Sequence, residues 1–89
     1  MAWTISVDPR AAKQLEKLGK SETLRIRNYL RDRVAPLDDP RRLGKALTGA
    51  KLGKLWRYRV GDDRIICDLQ DQLLVVLVVA IGHRGEVYR

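Results

Sequence analysis

The chain has 89 residues, with 18 Lys and Arg against 11 Asp and Glu, a formal net charge of +7, 45% hydrophobic residues and one Cys. That is enough for one small core and too apolar for a disordered basic tail, so a two-domain enzyme is excluded and a single domain over residues 1–89 is expected. One Cys (Cys67) and one His (His83) leave no internal disulfide and no Cys/His zinc set within one copy of the chain, which fits a reducing, cytoplasmic compartment.

Apolar and polar residues alternate from Trp3 to Val7, predicting a short strand with Trp3, Ile5 and Val7 on one face. Asp8 and Pro9 then open a helix, with Asp8 capping free N–H groups and Pro9 in the first turn. Ala11, Ala12, Leu15 and Leu18 form its apolar stripe, and Gly19 stops it. Ser21 opens a second helix in which Leu24, Ile26, Tyr29, Leu30 and Val34 recur at near-helical spacing until Pro36. The two are expected to form a hairpin. Residues 37–49 hold Pro40, Gly44 and Gly49 without a long period and read as a loop with room for one helical turn. The glycines follow neither phosphate-loop nor dinucleotide spacing, so no cofactor is expected.

After Lys54 the period becomes that of a strand. Leu55, Arg57 and Arg59 share one face and Trp56, Tyr58 and Val60 the other. Gly61 and Asp62 signal a turn into a second strand, residues 64–69, with Ile65, Cys67 and Leu69 aligned and Arg64, Ile66 and Asp68 opposite. A turn near Asp71 leads to Leu73–Ile81, nine apolar residues where a membrane span needs about 20. Apolar on both faces, this strand belongs inside the sheet, and no membrane partner is expected. The order β-α-α-β-β-β predicts an α+β domain, a helical hairpin packed on a mostly antiparallel four-stranded sheet. Trp56 and Tyr58 are read as packing under the helices and Cys67 as a small core residue, its thiol too buried to be a nucleophile.

The charge is concentrated. Residues 41–64 hold eight Lys and Arg against two Asp, which is six of the seven net charges. Such a cluster is the footprint of a polyanion binder, since phosphate contacts release counterions. Arg41, Arg42, Lys45, Lys51 and Lys54 are its candidate RNA- and phosphate-binding residues. Arg10, Arg25, Arg27, Arg31 and Arg33 alternate with acids and read as solvated helix faces.

Two segments, Leu55-Trp-Arg-Tyr-Arg-Val-Gly-Asp-Asp-Arg-Ile-Ile66 and Ile81-Gly-His-Arg-Gly-Glu-Val-Tyr88, resemble the RelE/ParE superfamily of bacterial toxins from toxin–antitoxin pairs. Asp8-Pro-Arg-Ala-Ala12 and Leu43-Gly-Lys-Ala-Leu-Thr-Gly49 extend the likeness over nearly the whole chain, and the ending resembles the RelE branch of messenger-RNA endonucleases. The resemblance implies metal-free cleavage of messenger RNA in the ribosomal A site, leaving a 2′,3′-cyclic phosphate and a 5′-hydroxyl. It carries the family's basic residues onto Arg57, Arg59 and Arg64, and its C-terminal Arg and Tyr onto Arg84 and Tyr88. It also implies a cognate antitoxin, for which the cationic surface suggests an acidic segment with an amphipathic helix or an added strand. The sequence departs from the pattern at three points: positions 57 and 59 are often Lys in relatives, Asp63 stands where an aromatic residue is common, and the C-terminal helix of some relatives is absent.

Self-cleavage of RNA needs a base for the 2′ proton, an acid for the departing 5′-oxygen and cations for the five-coordinate phosphate. Arg stays charged and binds two phosphate oxygens, but accepts protons poorly. Arg57, Arg59 and Arg64 are therefore assigned to the phosphate, Tyr88 or His83 to the base, and Arg84 to orienting or protonating the leaving group. Tyr88 is also placed to stack on an unpaired base, and His83 alone reads equally as a surface histidine. The rival from another class is a ParE-type inhibitor that binds DNA gyrase and cuts nothing; a third reading is a generic RNA-binding module.

Overall fold

The computed structural model describes residues 2–47 and 55–83. In chain order these form β1 (Thr4–Val7), α1 (Pro9–Leu18), α2 (Lys20–Tyr29) running into a π-helical turn (Leu30–Val34), a 3-10 turn (Pro40–Arg42), β2 (Lys45–Ala46), β3 (Leu55–Val60), β4 (Asp63–Gln70), a second 3-10 turn (Asp71–Leu73) and β5 (Val75–His83). The expected order is present, with a fifth strand added. β2 is two residues long and falls in the segment read as a loop, whose one helical turn is the 3-10 turn at Pro40.

Local chemistry explains the helical hairpin. The Asp8 carboxylate accepts from the Arg10 N–H at 2.8 Å and Pro9 occupies the first turn, as expected of a capped start. Gly19 alone, at φ +89°, separates the two helices. Thr23 reaches back so that its hydroxyl donates to the Leu15 carbonyl at 2.8 Å, filling an acceptor that the end of α1 leaves open. Ile26, Leu30 and Val34 are buried along α2 and its π turn. Leu24, read as part of that stripe, is instead 59% exposed, because the wide turn rotates the buried face away from it. Among the described residues no helix is long and apolar enough to cross a membrane.

The sheet order is β1-β5-β4-β3-β2, with β1 parallel to β5 and every other pair antiparallel. β5 lies inside it, as its two apolar faces require. It starts two residues later than its sequence suggests: Leu73 is 70% exposed on the 3-10 turn, and Leu74 takes the left-handed conformation at φ +52°. A bulge interrupts the β4–β5 ladder. Ile66 pairs with Ala80 and Cys67 with Val78, which leaves Val79 as the extra residue. Such an insertion reverses the alternation beyond it. Val76, Val78 and Ile81 thus all enter the core with Tyr58, Ile65, Cys67 and Leu69, under the helices. The same reversal decides which face His83 takes.

The loop before β3 is fastened by aromatic side chains. Trp3 Nε1 donates to the Asp38 carbonyl at 3.1 Å, the Tyr58 hydroxyl to that of Pro40 at 2.7 Å, and Trp56 Nε1 to that of Leu43 at 2.6 Å. Tyr58 is fully buried and Trp56 partly so, in keeping with the sequence reading, but both also anchor this loop. Its closest approach is at Gly44, φ +76°, where an added Cβ would stand 2.3 Å from the Arg57 carbonyl oxygen and 2.8 Å from Trp56 Nε1. Backbone cannot yield there. Gly44→Ala is expected to lose at least about 1–3 kcal/mol, lowering the melting midpoint by roughly 4–8 °C per kcal/mol for a domain of this size; a thermal melt followed by circular dichroism checks it.

Candidate functional site

Alternation along β3 and β4 buries Tyr58, Val60, Ile65 and Cys67 and puts Arg57, Arg59 and Arg64 on the opposite, open face. Arg59 stands directly across from Arg64, and Lys45 of β2 directly across from Arg57. Two cross-strand pairs are thus like-charged, an arrangement that costs stability. On β5 the partner of Arg64 is Gly82, which puts no side chain beside it. Arg57 and Arg64 are half-buried; Arg59 is exposed, and its Nε donates to the Gly61 carbonyl at 3.2 Å. Nη1 of Arg64 is buried and makes no hydrogen bond. A charged donor in that state is destabilising until an acceptor reaches it.

Next to these residues, at the edge of β3 where the short β2 stops pairing, is a pocket of about 280 Å³ lined by Tyr29, Gly44, Lys45, Arg57 and Arg59. It combines three cations with an aromatic ring. The Tyr29 ring lies 6.3 Å from that of Tyr58, and the Arg33 guanidinium carbon is 6.0 Å from its centroid. Sequence reasoning missed Tyr29 as a site residue, because its spacing with Ile26 and Leu30 marks it as core. Only the packing of α2 beside the β3 edge gives it a second surface.

The other candidates divide. Arg41 is engaged in a two-pronged ion pair with Asp71, Nη1 to Oδ1 at 2.9 Å and Nη2 to Oδ2 at 2.8 Å, with Asp39 at 3.5 Å. That pairing holds the Asp71 carboxyl below its ordinary range and ties the 3-10 turn at Pro40 to the turn before β5. Arg42 is exposed on the same 3-10 turn. Lys51, Lys54, Arg84 and Tyr88 lie outside the described residues. His83 pairs in register with Asp63, and its Nδ1 is 3.2 Å from Asp63 Oδ1, on the helix side of the sheet. The structure therefore brings Arg57, Arg59, Arg64 and Lys45 together and does not bring His83 to their face. Burial pushes the Cys67 thiol far up, in line with its reading as a core residue.

A family model described as the ParE toxin of the type II toxin–antitoxin system parDE matches residues 5–88. The chain belongs to this ParE/RelE family of type II toxin–antitoxin toxins. Solved structures agree on the fold. The toxin–antitoxin complex RelBE2 from Mycobacterium tuberculosis matches with 21% identity and a TM-score of 0.83, over 97% of this chain and 95% of that one. A mutant of the E. coli toxin RelE in the free state matches with 25% identity and a TM-score of 0.73, over 99% and 92%. The archaeal RelE–RelB complex from Pyrococcus horikoshii matches with 26% identity and a TM-score of 0.67, over 97% and 99%. A comparison with curated proteins finds no match.

Proposed function

We propose that this toxin is a ribosome-dependent, metal-independent endoribonuclease that cuts messenger RNA in the A site and so stops translation in the cytoplasm. The observation that carries the reading is the facing pair Arg59 and Arg64 on an open sheet face, with a buried Arg64 N–H that lacks an acceptor. A phosphate would relieve both the repulsion and the missing hydrogen bond, and would do so most strongly when its charge rises in the five-coordinate state. Arg57, Arg59 and Arg64 then bind and stabilise the phosphate. With His83 bonded to Asp63 across the sheet, the base falls to Tyr88, its phenol assisted by neighbouring guanidiniums, and Arg84 serves the leaving oxygen. The pocket beside Tyr29 is suited to a flanking nucleotide, whose base would meet the ring and whose phosphate would meet Lys45. The partner that silences the site is an antitoxin with an acidic segment, in keeping with the RelE structures that include RelB.

Primer extension on a translated transcript tests this. Codon-positioned cuts are expected, together with a 2′,3′-cyclic phosphate end in the phosphorus spectrum, and Tyr88→Phe should abolish them. Intact RNA with broken DNA would instead assign the chain to the gyrase-inhibiting reading.

A further inference from the structure

On the other side of the sheet from the arginines sits a second cluster of ionisable groups, which the proposed reaction does not use. Asp63, the first residue of β4, is 2% exposed. Its Oδ1 meets His83, while its Oδ2 is buried with no hydrogen-bond partner. The groups facing it are Glu22 and Arg25 from α2 and His83 from β5, with Arg25 Nη1 3.8 Å from Glu22 Oε1. Glu22 is the neighbour in hydrogen-bonding contact with Asp63. Two carboxylates cannot bond each other, so the donor that Oδ2 lacks is the proton of a Glu22 carboxylic acid. In agreement, the contact with Asp63 raises the Glu22 carboxyl above its ordinary value, against the pull of Arg25 and His83. Among the described residues no group of three His, Cys, Asp or Glu is arranged to hold a metal ion.

We propose that Glu22, Asp63 and His83 form a proton-dependent clasp, in which the Glu22 acid and the His83 imidazole both donate to Asp63 and fasten the end of β5 to the start of α2. The strand end needs such a fastening. β1 accompanies β5 only as far as Val78, so beyond it one side of β5 lacks a strand and is held by Gln14, whose side-chain oxygen accepts from the Ile81 N–H at 2.7 Å. Residue 84 follows directly, which makes Asp63 and Glu22 positioning residues for the segment carrying Arg84 and Tyr88. That last step rests on the nuclease reading; the clasp itself does not. Because the folded state raises the Glu22 carboxyl, the clasp is complete below the ordinary value of 4.5 and is lost as pH rises through the raised one. Protonation of His83 acts in the same sense, adding charge opposite Asp63 while Nδ1 still donates.

Amide exchange in the full-length chain tests it without RNA. Protection factors at Gly82 and His83 should be high at pH 5 and fall by pH 7.5, by roughly tenfold for each unit by which the Glu22 titration is displaced. Glu22→Gln keeps a donor to Asp63 at every pH. It should hold both amides at pH 7.5 as firmly as the parent does at pH 5, with no pH dependence. A flat parent profile, or Glu22→Gln amides less protected than the parent at pH 5, overturns the clasp. Asp63→Asn should lose the protection at both pH values, and if it does not fold the Glu22→Gln comparison decides alone. Exchange that behaves as expected in a protein that cuts no RNA would sink the nuclease reading and leave the clasp; RNA cleavage with a flat exchange profile would do the reverse.

Discussion

Replacing Arg64 by Ala is expected to lower RNA cleavage by about 10²–10³, the usual loss when one donor to a transition-state anion is removed, while leaving the domain as stable as before or slightly more so. The two halves of that expectation have one origin. Arg64 faces Arg59 across the ladder, has the bare glycine Gly82 on its other side, and leaves Nη1 buried without an acceptor. A side chain so placed contributes repulsion and an unmet hydrogen bond to the free protein, so its removal relieves the fold. Arg64→Lys should fall between, since it keeps the charge and loses the planar fork that grips two phosphate oxygens. Single-turnover cleavage beside a thermal melt separates the cases. A variant that melts well below the parent would mean that Arg64 holds the sheet together, and one that cleaves normally would remove it from the site.

Much of this site was legible in the sequence, because a strand's period of two is simple to read where polar and apolar residues alternate. Arg57, Tyr58 and Arg59 sort themselves onto two faces, and the change of period after Lys54 marks where helix ends and sheet begins. The rule fails where its signal vanishes. From Val75 to Ile81 every residue is apolar, so nothing in the order of side chains marks the bulge at Val79, and the face of His83 follows from that bulge. β2 was hidden for a different reason: two residues have no period, and their pairing depends on Gly44 letting the chain lie against β3. Arg41 reads as one more cation until a partner 30 positions along, Asp71, is brought to it by the fold. Asp63 was visible only as a departure from the family pattern; its burial between Glu22 and His83 is a product of tertiary packing.

The largest loss of stability is expected at Tyr58. Its side chain is fully buried, its hydroxyl donates to the Pro40 carbonyl, and burial pushes the phenol far above its ordinary pKa, so it stays a neutral donor at any working pH. Tyr58→Phe keeps the ring and strands the Pro40 carbonyl, a loss of about 1–2 kcal/mol. Tyr58→Ala adds the cavity of a buried aromatic, about 3–5 kcal/mol in all. Against a total of roughly 0.05–0.15 kcal/mol per residue, the second change removes a large part of what holds an 89-residue domain. Denaturant midpoints at constant slope give both numbers. The Phe variant is the informative one for function, because it remains folded while the loop from Pro40 to Gly44 loses one of its three aromatic anchors. That loop carries Lys45 to its place opposite Arg57. Tyr58→Phe should therefore weaken substrate binding at the pocket beside Tyr29 more than it slows the bound reaction, raising KM with little change in kcat. A fall in kcat alone would mean that the loop acts on the reacting phosphate itself.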